Sequence, residues 1–452
     1  MWKFTVSQIL EITRGILISG NINEKIKGIS IDSRTTKKDE LFIAIKGQRT
    51  DGHNFVKDAL EISNVCVVQK KVKIPPDKTA ILVFDTISAL QDIAAFWRIK
   101  LILTSIAVTG SNGKTTTKDM LAHILKSRGK VTSAEKSFNN FIGVPLTVLK
   151  ADLKTKFLIT EMETNEIGGI LKLSKIAQPK IGVITNIGDT HLEFLKNKEN
   201  VFKEKSELIR AIGEFGTVFL NKDDPYFKKL FQMAKCPVVT YSINSKSDFQ
   251  AKILKEEINR TIFKINGKKF VLNMPGKFNV LNACASISVA RQLGVKWSVI
   301  QKKISTFRPQ KGRIEIKKLK NITIVDDSFN ANPDSAKALC EVIKKLKGEK
   351  ILVFGDMLEL GEKSEKLHKK TATFFKKAGI KYVFYLGEFA DAFLKGIGEK
   401  IFFEKFDTGN KLKDKLISLL KNLSDKKTFL IFKGSNKMGL GKIADEISRK
   451  TF

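Results

Sequence analysis

Cysteine is scarce in this 452-residue chain, and its placement excludes more than its number does. Cys66, Cys236, Cys284 and Cys340 are far apart and form no C-x-x-C pair, so they read as reduced core residues of a cytoplasmic protein. No apolar run is long enough to span a membrane. The opening stretch MWKFTVSQILEITRG has polar and acidic residues inside its apolar run, which predicts an amphipathic first helix rather than a signal peptide. A long basic arm is missing too. The formal charge is +34, but the lysines are spread in ones and twos over every region. That pattern describes solvated helix faces rather than a nucleic-acid-binding surface, and it leaves a positive field that attracts anionic nucleotides. No repeat of solenoid period and no low-complexity tract occurs, and there are only four histidines, His53, His123, His191 and His368.

What is present is alternation. Residues 1–100 hold short β-like runs and two helical patterns. From 101 to 308, apolar runs such as KFLITEM, IGVITN, TVFL and PVVTY alternate with helical stretches, as in a mostly parallel sheet covered on both faces. Asn266-Gly267 between FKI and KKFVL predicts a tight hairpin added to that sheet. After FRPQKGR, residues 307–313, which reads as a linker, the alternation resumes in NITIVDDS, KILVFGD, KYVFYLG, KIFFEKF and KTFLIFKG. The fold class is therefore α/β in three domains. These are a small α/β domain over 1–100, a phosphate-loop parallel-sheet domain over 101–308 and a Rossmann-like domain over 309–452. No G-x-G-x-x-G follows the first strand of the last, so no dinucleotide is expected there.

The chemistry centres on AVTGSNGKTTTKDML, residues 107–121. A phosphate-binding loop needs glycines that let backbone N–H groups approach phosphate oxygens, then a helix N-terminus. It also needs a lysine and a hydroxyl for the β- and γ-phosphates and Mg²⁺. Gly110, Ser111, Asn112 and Gly113 meet the first need, and Lys114, Thr115 and Thr116 meet the others. The usual pattern asks for a further glycine five places before Gly113, where this chain has Val108.

The shortened loop T-G-S-N-G-K-T-T resembles that of the Mur ligases, the ATP-dependent amide-forming enzymes of peptidoglycan precursor synthesis. The similarity runs through IDSRTTKKDELFIAIKGQRTDGHNFVKDAL (31–60), SFNNFIGVPLTVL (137–149), ITEMETN (159–165), ITNIGDTHLEFL (184–195), FKEKSELI (202–209), LNKDDP (220–225), PGKFNVLNACASI (275–287), DDSFNANPDS (326–335) and GDMLELG (355–361). The last two resemble the branch that adds a dipeptide, rather than the folylpolyglutamate or third-residue branches. A nucleic-acid-dependent ATPase and a non-catalytic relative are the other readings. The basic cluster the first requires is missing, and Lys114, Thr115, Glu161 and His191 together argue against the second.

The resemblance implies roles residue by residue. Asp32, Ser33 and Arg34 would lie near a uridine diphosphate, in a domain shaped by Gly47 and the Asp51-Gly52-His53 turn. Asn139 and Asn140 would sit beside the muramoyl-peptide. Thr115 and Glu161 would hold one Mg²⁺, and His191 with a carbamylated Lys205 a second. Asn282 would read adenine, Arg313 would reach ATP, and Asp327, Asn330 and Asn332 would position the acceptor. The implied substrates are ATP, UDP-N-acetylmuramoyl-tripeptide and D-alanyl-D-alanine, joined through an acyl phosphate by a monomer that closes at hinges near residues 100 and 310. Four positions depart from the family pattern. Glu163 replaces glycine, Phe278 replaces histidine, Phe329 replaces tyrosine and Asn436 replaces arginine.

Overall fold

The computed structural model describes residues 4–47, 50–135, 137–423 and 426–450. Residues 1–3 of the opening stretch and Gln48-Arg49 of the 31–60 motif lie outside the described residues.

Three sheets follow one another along the chain, together with one small strand pair near the N-terminus. The first has five strands in the order Ile16–Ser19, Thr79–Leu82, Val65–Val68, Glu40–Ile43, Gly28–Ser30, all parallel except the antiparallel edge Ile16–Ser19. The amphipathic first helix is present as Val6–Thr13, held at its start by a Thr5–Gln8 capping box. This region has three α-helices where periodicity indicates two; the others are Val56–Ile62 and Thr86–Ile99.

The second sheet has nine strands. Its core order is Thr217–Asn221, Ile181–Ile184, Thr104–Thr109, Thr155–Glu161, Lys130–Ser133, all parallel. These strands read as nearly continuous apolar runs because helices bury both faces. The chain leaves Thr104–Thr109 toward one side of the sheet and later returns on its other side. The turn after that strand is thus a topological switch point, where α/β sheets bind ligands. The expected hairpin caps the far edge: Arg260–Ile265 and Lys268–Leu272 are joined through Asn266 and Gly267, at φ +47° and +77°. The third sheet has six strands, five of them parallel, with Glu315–Leu319 antiparallel at one edge.

Helix Thr86–Ile99, started by the Asp85 cap, packs on helix Gly143–Leu149 and helix Gly169–Ala177 of the second region. Trp97 Nε1 donates to the Ala151 carbonyl at 2.8 Å, and Arg98 Nε to that of Ala177 at 3.0 Å. A pivot at residue 100 would have to break this buried contact, so the first region is fastened rather than tethered. Trp97→Ala is expected to cost about 3–5 kcal/mol of stability, read from denaturant unfolding. All four cysteines are free and buried.

Candidate active site

The strand Thr104–Thr109 ends in a loop of four residues and opens directly into helix Lys114–Leu125. Gly110 and Gly113 adopt φ +136° and +83°, a region that side chains rarely enter. A Cβ at either would collide with Thr185 or Asn282. Val108 stays inside the strand, fully buried, so the tight turn begins at Gly110 and no earlier glycine is needed. The neighbouring strand end clamps the loop. Asn186 Oδ1 accepts from Asn112 N–H at 3.0 Å, and Thr185 Oγ1 donates to the Asn112 carbonyl at 2.6 Å.

This loop forms one wall of a cavity of about 390 Å³. Ser111 to Thr116, Glu161, Glu163, Phe278 and Asn282 line it from the second region. Arg313, Asp327, Phe329, Asn330, Asn332 and Lys433 line it from the third. Hydrogen bonds cross between the walls. Arg313 Nη2 donates to Thr115 Oγ1 at 2.9 Å, Asn332 Nδ2 to Asn112 Oδ1 at 2.8 Å, and Asp189 N–H to Asp334 at 3.1 Å. The Arg313 guanidinium also stacks 4.1 Å over Phe329, so phenylalanine retains the face that this contact uses.

The carboxylates separate by role. Glu161 ends the strand Thr155–Glu161 and is buried; its Oε1 accepts from Asn139 Nδ2 at 2.9 Å. Its Oε2 is buried without a hydrogen-bond partner, 4.0 Å from the Lys118 ammonium. Glu161 lines the same cavity as Thr115, and a carboxylate with a hydroxyl is the hard oxygen donor set that Mg²⁺ takes, so these residues fit the first metal.

Glu163 lies two residues on and collects three donors. Lys114 Nζ stands 2.5 Å from its Oε1, His191 Nε2 3.0 Å from the same oxygen, and Asn139 Nδ2 2.9 Å from Oε2. Burial opposes its ionisation, but the Lys114 charge and the His191 hydrogen bond outweigh burial and hold the carboxyl well below the usual range.

His191 is held from both sides. Its Nδ1 meets Glu359 Oε2 of the third region at 2.6 Å. Both residues have positive φ, +53° and +63°, a strained conformation for side chains of this size. Burial would lower the His191 pKa, but the hydrogen bonds to Glu163 and Glu359 overcome it and raise the value to about 9. The charged imidazole therefore contributes stability in full below the unfolded value near 6.5, and that contribution is lost as pH rises through about 9. NMR titration of the His191 ring should show a midpoint near 9, and unfolding free energy should fall over that window.

The second metal set does not fit as it stands. Both ring nitrogens of His191 are occupied, and Lys205 is fully buried with its ammonium 2.8 Å from Glu204. Among the described residues no cluster of three or more His, Cys, Asp or Glu is arranged to hold a metal ion. Lys205 is instead paired with Glu204 in the interior.

Other expected residues have internal tasks. Asn140 Oδ1 accepts from Ile142 and Gly143 N–H, at 3.1 and 2.9 Å, and so holds the start of helix Gly143–Leu149. Asn139 spends its amide on the two glutamates. Asn332 caps helix Pro333–Ile343 in a capping box. Asp32, Ser33 and Arg34 form a turn in the first region, where Asp32 takes both Arg34 Nε and Nη2, at 2.8 and 2.6 Å; they do not line this cavity. The Asp51-Gly52-His53 turn is architectural: His53 is buried, bonded to Asp51 at 2.6 Å and to Gln69 N–H at 3.0 Å.

Three residues of the site carried no assigned role in the sequence. Lys118 is buried behind Glu161, Glu359 reaches His191, and Lys433 pairs with Asp327 at 2.6 Å. Glu359 at least lay inside the distinctive GDMLELG stretch. His368 holds that stretch in shape, accepting from Met357 N–H at 2.9 Å.

Comparison with known proteins completes the assignment. Family models match in sequence order: Mur ligase family, catalytic domain, at residues 25–98; Mur ligase middle domain at 108–290; and Mur ligase, glutamate ligase domain, at 312–437. A Bacillus subtilis UDP-N-acetylmuramoyl-tripeptide–D-alanyl-D-alanine ligase is 34% identical over 99% of each chain. The chain belongs to the Mur ligase family. Its fold is that of the MurF crystal structure from Acinetobacter baumannii, with TM-score 0.92, 29% identity and full coverage of both chains. The MurF ligase of Thermotoga maritima in complex with ADP superposes with TM-score 0.81 and 26% identity, over 94% of this chain and 97% of that one. As a Mur ligase, this chain is an ATP-dependent ligase with the family's three-part architecture.

Proposed function

We propose that this Mur ligase joins D-alanyl-D-alanine to UDP-N-acetylmuramoyl-tripeptide, with ATP consumed through an acyl phosphate. The observation that carries this reading is the single cavity in which the loop lysine and Glu161 face Arg313, Asp327 and Lys433. The names of full-length relatives support the choice of substrates.

A carboxylate does not accept an amine until it is activated. The tripeptide carboxylate attacks the γ-phosphorus of ATP, and ADP leaves. The amine of the dipeptide then attacks the acyl carbon, and phosphate leaves. Two anions must meet in the first step, so the catalysis is electrostatic and positional. Lys114 and the free N–H groups at the start of helix Lys114–Leu125 face the phosphates. Arg313, already on the Thr115 hydroxyl, brings a second cation from the opposite wall. A Mg²⁺ held by Thr115 and Glu161 would neutralise phosphate oxygens. The Asp327 carboxylate offers the incoming ammonium an acceptor. Carbamylation of Lys205 would require its amine to leave Glu204 and lose a proton, turning the buried cation into an anion.

In this reading residues 1–100 take the UDP moiety, with Asp32, Ser33 and Arg34 near it. Residues 101–308 take ATP, and 309–452 the dipeptide. A monomer suffices, since one chain supplies every group named, and four buried free thiols suit the cytoplasm. The test is phosphate release from Mg·ATP. Turnover requiring both the nucleotide-tripeptide and the dipeptide, with a pentapeptide product by mass, is the expected result. Release driven by a different amine would overturn the substrate assignment and leave the loop assignment standing.

A further inference from the structure

Glu163 stands at a position where resemblance to the dipeptide-adding branch implies glycine, and the reaction just described gives it no task. Its setting is that of a bound anion. Lys114, Asn139 and His191 approach from three separate segments and converge on this one carboxylate. Its side chain remains a quarter exposed and lines the nucleotide cavity, so it is not an ordinary sealed ion pair.

The lysine is fully committed in this arrangement. An ammonium has three protons. Those of Lys114 meet the Gly110 carbonyl at 2.7 Å, the Ser111 carbonyl at 3.4 Å and Glu163 Oε1 at 2.5 Å. A loop lysine serves a nucleotide by reaching its β- and γ-phosphates. To do so here it must release a contact. The carboxylate is the one to go, because its charge repels the arriving phosphate while the two carbonyls shape the loop itself.

We propose that Glu163 is an internal competitor of the terminal phosphate of ATP: it holds Lys114 as a phosphate oxygen would, and triphosphate binding displaces it. The displaced carboxylate keeps Asn139 and His191 as donors, so the exchange costs one contact and not three. The competitor lowers apparent affinity by the fraction of molecules in which Lys114 is not free. It acts more on triphosphates than on diphosphates, because a diphosphate brings only one of the two phosphates that the lysine reaches.

This inference rests on the loop being the ATP site, and calorimetry separates the two claims. Mg·AMP-PNP, a non-hydrolysable triphosphate, and Mg·ADP are titrated into the wild-type protein, Glu163→Gln and Glu163→Ala. We expect Mg·AMP-PNP to bind both variants about tenfold more tightly than wild type, corresponding to a free-lysine fraction near one tenth. Mg·ADP should change by less than about threefold, which also reports that the variants are folded. Unchanged or weaker triphosphate binding in the folded variants overturns the proposal, weaker binding meaning that the carboxylate assists the nucleotide. Should one variant fail to bind ADP, the other decides. A wild-type protein that binds neither nucleotide refutes the ATP site itself, a different failure.

Discussion

Lys114→Ala is expected to lower kcat by at least about 10³-fold, with ADP formation and acyl-phosphate formation lost together. The loss is this large because the lysine acts where negative charge gathers. The tripeptide carboxylate, the triphosphate and Glu163 all bring anions to one cavity, and Lys114 touches the last of these at 2.5 Å. Removing one well-placed donor to a transition-state anion costs about 10²–10³-fold, and this donor also carries full charge. The fold should survive, because Glu163 keeps Asn139 and His191. The check is a single-turnover assay with the acyl phosphate trapped by hydroxylamine, alongside a thermal melt. A variant that melts normally and retains most of its activity would refute the role of the loop.

The second large effect is on stability. Lys433→Met should destabilise the protein by about 2–4 kcal/mol, because it leaves the largely enclosed Asp327 carboxylate without its paired cation. Lys433 is almost wholly enclosed; its ammonium lies 2.6 Å from Asp327 and 2.8 Å from the Asn330 carbonyl. Burial already raises the Asp327 pKa against the opposing pull of Lys433. Without the lysine the carboxyl rises further, and part of the loss should be recovered at lower pH as it protonates. Adding Asp327→Asn removes the stranded charge, so the double variant should be more stable than Lys433→Met alone. Urea unfolding of the four proteins in the cycle measures this directly. Equal stability of Lys433→Met and wild type would mean that the pair is solvated and contributes little.

The phosphate loop was legible in the sequence because its requirements are local. Two glycines, a lysine and a hydroxyl within six positions satisfy the loop by themselves, and the flanking strand and helix announce themselves by period. The Asn266-Gly267 hairpin was legible for the same reason. Contacts that join distant segments were not. His191 and Glu359 are 168 positions apart, Asn112 and Asn332 220, and Asp327 and Lys433 106. Nothing in the composition around Lys433 distinguishes it from the many surface charges of this chain, and the GDMLELG stretch marks Glu359 without indicating its partner. Asn139 and Asn140 show the opposite situation. Their amides suit a ligand, but the local backbone and the two glutamates claim them first. Glu161 and Glu163 were both visible, and an extended chain places residues two apart on one side. Which one the lysine would grip depends on where the loop turns, and that is a property of the fold.

Four thiols sealed in three regions have a practical meaning. Burial pushes the Cys66 thiol up to about 12 and is the largest cause that raises Cys236, Cys284 and Cys340, which disfavours the thiolate in the intact molecule. A maleimide can then label a site only when that part of the chain opens. Cys66 reports on the first region, Cys236 and Cys284 on the second, and Cys340 on the third. The molecule thus contains its own set of clocks, and the order in which they start would reveal which layer of the enzyme loosens first.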